Sequence, residues 1–438
     1  MAAAGLLISP PPRRSALLCA AVAPVVLALL AQPAWAPAAG SSHDIDDDSV
    51  APQWETVSSN AAPVIGPAET LPHGVYQGFE TGQFFKENGT YFVAINELGL
   101  CPSVTWDRTT RAALWSAPDA SGPWTRVVTL RNTSSMHTRC NMSTGQGLPN
   151  ACAWAPTLVF APSIANGSKP VWNMFYSACE DVGGAPSPDP KLPKDKPGDG
   201  VVHAVSTTAS MEGPYVDLLP GKLVPGSSVE LPFTHAFTTW KLRNGSYYSF
   251  RNNVPGASSF SVGLERATVD GGRTLGGPRV GGRSEDGAGW AYDNNSVAFP
   301  CGPENPIVSR STDGKWWYAV YDALEQVPND GTKKGSCTEP RARKLCQSKT
   351  QCDAIGVAWS PDGVTWTANA TTVLRVQTVG HPCGQIRTPL GLVAEPERCA
   401  GCYSVLWTGY SNLKGTDRVG YTPVCHAVVK QTNENGPL

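Results

Sequence analysis

The sequence predicts an all-β fold: a five-bladed β-propeller with four-stranded antiparallel blades around a central channel. Two repeats predict it, together with a lack of helical patterning after the N-terminus. In the first repeat an apolar strand ends in an Asn-Gly, Asp-Gly or longer glycine-containing turn, and an aromatic-rich strand follows, which is the pattern of a β-hairpin. The five copies begin about 75 residues apart, at 84–97, 158–178, 236–250, 306–323 and 390–410.

The second repeat is a shorter strand–turn–strand segment that follows each of the first four hairpins. Its copies lie at 113–125, 203–217, 262–277 and 356–371. Two hairpins per unit give four strands, the content of one propeller blade. After the fifth hairpin only 418–429 remains, so we expect the last blade to take a strand from residues 55–75. A β-sandwich or several small β-domains is the alternative, but the order of the repeats favours the propeller.

Composition agrees with a chain rich in turns and poor in helix. It contains 44 glycines and 39 prolines, and no stretch beyond the N-terminus keeps apolar residues at helical spacing. The formal net charge is −2, and basic residues do not cluster with aromatic ones. This pattern excludes nucleic acid as an expected partner.

The N-terminus has the features of a signal peptide. Arg13 and Arg14 precede an apolar stretch at 16–30, and small residues that suit cleavage follow. An uncleaved membrane anchor is the alternative, although this stretch is shorter than the roughly 20 residues of a spanning helix. The protein is therefore expected to be secreted, a monomer, and without membrane contact once the signal is removed.

Four regions follow from these patterns. They are a signal peptide at 1–39, a disordered acidic linker at 40–60, a single propeller domain at 61–430 and a flexible tail at 431–438.

Cysteine usage also fits export. Cys19 lies in the targeting segment, and the other twelve cysteines suit about six disulfides in an oxidising compartment. At least one bridge should pin the insertion at 326–353, which holds three of them. Cys399 and Cys402 could also form half of a zinc site, but no second pair has their spacing. Sequons that predict a glycoprotein lie at Asn88, Asn132, Asn141, Asn166, Asn244, Asn294 and Asn369.

The candidate site lies where the innermost strands begin. In a propeller these strands line the channel, and their side chains converge at one end. In this chain we expect them at 78–85, 152–160, 232–240, 301–309 and 383–391. The residues at corresponding places are Glu80, Trp154, Thr157, His235, Glu304 and Arg387. Two carboxylates can supply an acid and a base for a glycosidic bond, and arginine or histidine can orient hydroxyls. The set therefore predicts a carbohydrate site.

These residues also have structural interpretations. The two glutamates could bond backbone N–H groups near the axis, and His235 or Trp154 could simply fill the core. Arg387 would need a carboxylate partner if it is buried. Other tryptophans are interpreted as packing between blades rather than as sugar platforms: Trp316, Trp317, Trp359, Trp366 and Trp407.

Four segments resemble five-bladed glycoside hydrolases of the arabinanase and β-xylosidase group, and more distantly of the invertase and levansucrase group. The segments are ETGQFFKENGTYF (80–92), WAPTLVF (154–160), ENPIVSRSTDGKWWYAVYD (304–322) and GVAWSPDGVTW (356–366). The resemblance spans about residues 70–428. In those families a carboxylate opening the first blade is the general base or nucleophile, a glutamate of a later blade is the general acid, and a third carboxylate orients the acid.

The resemblance implies the first role for Glu80 and the second for Glu304. Glu80 stands where the arabinanase group has aspartate, and His235 stands where the third carboxylate would be, so Asp293 is a possible substitute. No cofactor is implied, although some propellers of this type hold an axial metal ion through a histidine, which leaves calcium near His235 as an alternative.

Two other functions remain open. The first is a non-catalytic propeller that binds glycan or protein on the same face. The second is a sialidase-like hydrolase, because 311–317 and 360–366 resemble sialidase Asp-boxes, each lacking one residue. Such a box is expected to act as a turn in which the aspartate bonds the hairpin backbone. The six blades, three arginines and tyrosine nucleophile of a sialidase are not found.

Overall fold

The computed structural model describes residues 52–60, 62–100, 110–132, 152–163, 169–179, 200–217, 237–242, 247–252, 262–267, 303–323, 354–375, 383, 386–409 and 421–433. All of them belong to one compact unit, 47–438. The predicted signal peptide, His235, Asp293 and the cysteines of the 326–353 insertion lie outside the described residues.

In this part of the chain the strands form five antiparallel sheets. Sheet 1 contains β2 (Gly78–Glu87), β3 (Thr90–Leu98), β4 (Thr110–Ala117) and β5 (Thr125–Arg131). Sheet 2 contains β6 (Cys152–Ser163), β7 (Lys169–Cys179), β8 (Gly200–Ser206) and β9 (Tyr215–Asp217). Sheet 3 contains β10 (Phe237–Lys241), β11 (Tyr247–Asn252) and β12 (Val262–Ala267). Sheet 4 contains β13 (Pro303–Arg310), β14 (Trp317–Ala323), β15 (Ala354–Ser360) and β16 (Thr367–Arg375).

Sheet 5 combines the two ends of the described chain. Its strands are β17 (Ile386–Ala394), β18 (Cys402–Gly409), β19 (Val424–Gln431) and, at the outer edge, β1 (Trp54–Ser59). A four-residue helix, α1 (Pro67–Thr70), and a 3₁₀ turn at Leu71–His73 connect β1 to β2. No helix among the described residues has the length and apolarity needed to span a membrane.

The first strand of each sheet contacts the first strand of the next. These contacts join β2 to β6, β6 to β10, β10 to β13, β13 to β17, and β17 back to β2. The first strands are therefore the innermost ones, as predicted, and the architecture is an all-β propeller with four-stranded antiparallel blades.

The number of complete blades differs from the prediction. Four sheets have four strands, whereas sheet 3 has three strands in the described chain. The residues that follow β12, 268–302, lie outside the described part, so the structure supplies four complete blades rather than five.

The core lies between neighbouring sheets because each sheet is covered on both faces. Along β3, Val93 and Ile95 belong to a cluster shared with sheet 5, and the intervening Ala94 belongs to a cluster shared with sheet 2. A further cluster fills the space between sheets 4 and 5. Alternate residues of a strand point to opposite faces, so both sets must be apolar here. Trp317, Trp359, Trp366 and Trp407 are all buried, in agreement with their predicted packing role.

The two ends of the chain close the ring within sheet 5. β1 pairs antiparallel with β19, and Phe79 N–H donates to Thr422 O over 2.9 Å. We expected a strand from the N-terminal side to complete this blade, and Trp54–Ser59 form it. The predicted linker at 40–60 therefore overlaps a strand and must end before Trp54. The tail boundary at 431 was also wrong, because Gln431 ends β19 and its side chain accepts a hydrogen bond from Tyr318.

Turns and disulfides follow the sequence patterns. Asn88 and Gly89, between β2 and β3, have φ values of 50° and 81°, the positive values that a two-residue type I′ hairpin requires. The predicted sequon Asn88 is exposed at this turn.

Two disulfides lie in the described chain: Cys383 is bonded to Cys425, and Cys399 is bonded to Cys402. The second bridge removes the zinc interpretation of that pair.

Trp54 is the side chain through which β1 joins two sheets. Its ring lies 5.4 Å from that of Tyr318 in sheet 4 and 5.3 Å from that of Tyr403 in sheet 5, edge to face. We expect Trp54→Ala to lower the free energy of unfolding by about 3 kcal/mol, because both contacts are lost and a void remains. Val57→Ala is the matched control on the same strand, since Val57 is 54% exposed, and should cost less than about 1 kcal/mol. Equal losses in urea unfolding would contradict this role.

Candidate active site

Four of the five innermost strands share an irregularity at their N-terminal ends, whereas β10, as described, pairs in continuous register. Pairing with the second strand shifts register between Phe79 and Gly82, between Trp154 and Thr157, between Glu304 and Ile307, and between Ile386 and Thr388. Such bulges bend the strand and re-aim its side chains, and they are frequent beside active sites. We call this end of the inner strands the mouth. The four bulges contain or adjoin Glu80, Trp154, Glu304 and Arg387.

Glu80 lies inside the bulge of β2 and is 5% exposed. The next residue, Thr81, fixes the bulge, because its N–H and its hydroxyl both donate to Asn96 Oδ1 over 2.7 Å. Gly82 completes it. A Cβ at this position would lie 2.2 Å from Ala94 O, so only glycine allows β2 to approach β3 this closely.

Trp154 and Thr157 flank the bulge of β6, and both are buried. Between them Ala155 has φ 45°, a left-handed conformation that costs a residue with a side chain about 1–3 kcal/mol. Its N–H donates to Thr81 Oγ1 over 3.0 Å, which joins the bulges of β6 and β2. Backbone strain retained at this point favours a functional role for the mouth.

The bulge of β2 is also joined to β17. Thr408 Oγ1 donates to Glu80 O over 3.0 Å and lies 3.4 Å from Thr388 O, beside Arg387. The structure therefore places the main chain of Glu80 between Trp154 on one side and Arg387 on the other. For Arg387 the structure describes the backbone, which forms part of β17.

Glu304 occupies the corresponding place in β13, opposite Asp322 of β14. It too is described through its backbone position. Two residues on, Pro306 O accepts a hydrogen bond of 2.7 Å from Thr238 Oγ1 of β10, so the third and fourth sheets are joined at this end as well. His235 and Asp293, the other predicted binding residues, lie outside the described chain.

Sequence reasoning missed the polar residues that support the mouth. Asn96 and Thr388 are fully buried, and in the described chain Asn96 Nδ2 and Thr388 Oγ1 have no hydrogen-bond partner. Buried polar atoms normally find a partner or an ordered water, so these two atoms mark positions for water beneath the bulges. A polar residue at a buried place in a strand pattern, such as Asn96 between Ile95 and Glu97, was the available signal.

Another buried carboxylate, Glu97, has a structural function. It accepts hydrogen bonds from Arg111, from Arg126 Nε over 2.8 Å and from Trp115 Nε1 over 2.9 Å. Burial alone would raise the pKa of Glu97, but the two arginines outweigh it and hold the pKa below its usual value. The two guanidinium groups neutralise the carboxylate within sheet 1, so Glu97 is not a candidate for acid or base.

Glu395 is buried at the opposite end of the inner strands. It accepts from Tyr91 over 2.5 Å and from Ser404 Oγ over 2.6 Å, and Lys86 Nζ lies 3.5 Å away. Burial, together with the carboxylate of Glu395, raises the pKa of Tyr91 to about 12. Glu395 and its partners link sheets 1 and 5. Because Glu395 lies at the end of the inner strands opposite the mouth, it is not part of the candidate site.

The described chain contains no group of three or more histidine, cysteine, aspartate or glutamate residues that could hold a metal ion. The calcium alternative rests on His235, which lies outside this part.

The two Asp-box-like turns have the mechanical role predicted for them. Asp313 Oδ1 accepts from Lys315 N–H over 2.9 Å, and Asp362 Oδ1 accepts from the N–H groups of Val364 and Thr365 over 2.7 Å. In each turn a serine two residues earlier also bonds the aspartate. These aspartates bind backbone and offer no support for a sialidase-like site.

Comparisons with known proteins identify the fold. No family model matches the chain, and no curated protein matches its sequence. Among solved structures, a GH43_1 enzyme from Xanthomonas citri complexed with xylose has a TM-score of 0.50 at 11% identity, covering 87% of this chain and 92% of that one. A GH43 β-xylosidase/α-arabinofuranosidase from a compost microbial metagenome, in complex with xylotriose, has a TM-score of 0.49 at 11% identity, covering 87% and 97%. The chain thus shares the fold of the Xanthomonas citri enzyme.

Gly82 offers a test of the bulge at Glu80. We expect Gly82→Ala to lower the free energy of unfolding by about 3 kcal/mol or more, because the added methyl overlaps the backbone of β3. Gly66→Ala is the control: its Cβ would make ordinary contacts of 3.5 Å and longer, so its effect should be below about 1 kcal/mol. Thermal and urea unfolding measure both, and an unaffected Gly82→Ala protein would contradict the close approach.

His426 gives a pH test of the sheet 5 core. Its Nε2 lies 3.2 Å from Ser404 Oγ, and burial, helped by the positive charge of Arg398, lowers the pKa of His426 to about 4. The unfolded chain binds a proton near pH 6.5, whereas the folded chain does not until about pH 4. Stability should therefore fall as the pH is lowered through this window, by about 2 kcal/mol between pH 7 and pH 5.

His426→Gln should remove that part of the pH dependence. His73→Gln is the comparison: burial also lowers the pKa of His73, but this residue is exposed, so its substitution should change the slope less than His426→Gln does. Urea unfolding at pH 7, 6 and 5 measures the difference, and an identical slope in His426→Gln and the parent protein would show that His426 does not contribute.

Proposed function

We propose that this protein is a secreted glycoside hydrolase that cleaves a poly- or oligosaccharide by paired-carboxylate acid/base catalysis at the mouth. The observation that carries the proposal is the placement of Glu80 and Glu304 at bulges on the same end of two innermost strands. The fold supports it, since the enzyme from Xanthomonas citri that shares it is described with bound xylose. A carbohydrate is the corresponding substrate class for this chain.

The roles follow from chemistry and from the family resemblance. Glu80 acts as general base or nucleophile because it opens the first blade, and Glu304 acts as general acid toward the leaving oxygen. Arg387 holds substrate hydroxyls and keeps one carboxylate ionised. Trp154 and Thr157 line the sugar position, and His235 and Asp293 complete the binding set. The mechanism needs no cofactor.

The proposal includes a closed ring of five blades. The cyclic contacts of the five inner strands support it, and the sequence pattern at 262–277 predicts the fourth strand of sheet 3. Export is part of the proposal as well. The disulfides Cys383–Cys425 and Cys399–Cys402 suit an oxidising compartment, and the N-terminal segment supplies the signal.

Hydrolysis of a panel of chromogenic glycosides by the secreted protein tests the proposal. We expect Glu80→Gln and Glu304→Gln each to lower kcat by about 10³-fold, because each removes a proton-transfer group while keeping its shape. The melting temperature should stay close to that of the parent. Glu212→Gln is the matched control, since Glu212 is exposed on the turn before β9 and should leave kcat unchanged.

Hydrolysis that survives both glutamine substitutions would overturn the assignment of the two glutamates. Binding of an oligosaccharide at the mouth with no hydrolysis of any substrate would favour the non-catalytic propeller instead. A crystal structure with both side chains in view would fix the stereochemistry: carboxyl groups about 5–5.5 Å apart indicate retention, and about 6.5–9.5 Å indicates inversion.

A further inference from the structure

A cavity lies at the opposite end of the inner strands from the mouth, which we call the tip end. β13 runs from Glu304 at the mouth to a hairpin turn that begins at Ser311, seven residues and about 20 Å away. β17 ends in the neighbouring hairpin turn, 395–401. Between these two turns is a cavity of about 390 Å³. Its lining includes Asp313, Trp316, Tyr318, Ala400, Gly401 and Gln431.

One wall of the cavity is the Asp-box turn of sheet 4. Ser311 Oγ donates to Asp313 Oδ1 over 2.6 Å, and Trp316 N–H donates to Ser311 Oγ over 2.8 Å. Together with the bond of 2.9 Å that Ser311 N–H donates to Trp316 O, they fix the backbone on both sides of the tryptophan. Trp316 remains half-buried, unlike the neighbouring Trp317, which is buried. Its indole therefore has a surface that packing does not use.

The other wall is the hairpin tip of sheet 5, closed by the Cys399–Cys402 disulfide. Gly401 O accepts from Gln431 N–H over 2.9 Å, which anchors the tip to β19. Two further bonds join the walls: Tyr318 OH donates to Gln431 Oε1 over 2.7 Å, and Thr312 N–H donates to Tyr403 OH over 2.9 Å. The cavity is therefore preformed, which lowers the entropic cost of binding a ligand.

The lining suits a neutral ligand with both polar and apolar faces. An indole forms one side, the small residues Ala400 and Gly401 leave room opposite, and carboxylate and amide groups lie between. The charge of Asp313 is balanced by Lys315, whose Nζ lies 3.3 Å from Oδ2. A sugar ring has this combination of an apolar face and a rim of hydroxyls, and the volume lies within the range of small-ligand sites.

We propose that the tip-end cavity is an accessory binding site for a neutral oligosaccharide, with Trp316 stacking on a sugar ring. This changes the role predicted for Trp316 from packing alone to packing plus ligand contact. The site is separate from the mouth, so a long polysaccharide can be held at a place where no bond is cleaved. The choice of probe below rests on the proposed function, but binding at this cavity does not.

Isothermal titration calorimetry with xylohexaose and arabinohexaose tests the site. All proteins carry Glu80→Gln so that the probe is not hydrolysed. We expect two binding events with at least one probe. Trp316→Ala should weaken one event at least tenfold, and Ala400→Phe should do the same by filling the cavity while keeping the indole. Phe160→Ala is the control, since it removes an aromatic ring that is 48% exposed on sheet 2 and should change neither event.

Trp154→Ala separates the two sites, because it should weaken only the event at the mouth. If the proposed function fails, the protein with Glu80 intact hydrolyses neither probe, with or without the event sensitive to Trp154→Ala, while the event sensitive to Ala400→Phe persists. The accessory site is overturned if neither probe gives an event that responds to Ala400→Phe. It is equally overturned if Ala400→Phe and Trp316→Ala proteins with parental melting temperatures bind as the parent does.

Discussion

Burial of the sheets on both faces is the constraint on which the rest of the structure depends. A sheet with a solvent face can place polar side chains on alternate residues, but sheet 1 is covered by sheet 5 on one side and by sheet 2 on the other. Phe84 and Leu158 illustrate this, since they lie in different clusters on either side of β2 and β3. A functional side chain on an inner strand can leave this packing only where the regular alternation is broken.

The bulges provide that break, and neutral groups hold them in place. Thr81, Thr238 and Thr408 each join one inner strand to a neighbour through a hydroxyl and a backbone group. Hydroxyls satisfy backbone atoms without introducing charge, so these joints do not alter the electrostatics of nearby ionisable side chains. Through these bonds the backbone N–H of Ala155 and the backbone carbonyl of Glu80 are held by neighbouring strands.

Much of this architecture could be predicted from the chain alone because turns and alternation are local. The Asn88-Gly89 hairpin and the inner-strand starts follow from residues close in sequence, and the borrowed edge strand follows from the number of strands left after the fifth hairpin. The bulges could not be predicted, since a register shift depends on two strands at once. Gly82 is an example: its role becomes visible only when Ala94 O is found opposite. Likewise, Glu97 and Glu80 differ in their surroundings, which sequence patterns do not encode.

Charged groups are buried near both ends of the inner strands, and at each end they are paired. At the tip end sheets 1 and 5 are joined by charged groups, with Lys86 near the buried Glu395. Buried charges of this kind must remain paired, because removing one partner costs about 3–5 kcal/mol. Beside the mouth, Glu97 lies opposite Phe79 and is paired with Arg111 and Arg126. Both of these paired carboxylates serve the fold, which leaves Glu80 and Glu304 as the candidates for the chemistry proposed at the mouth.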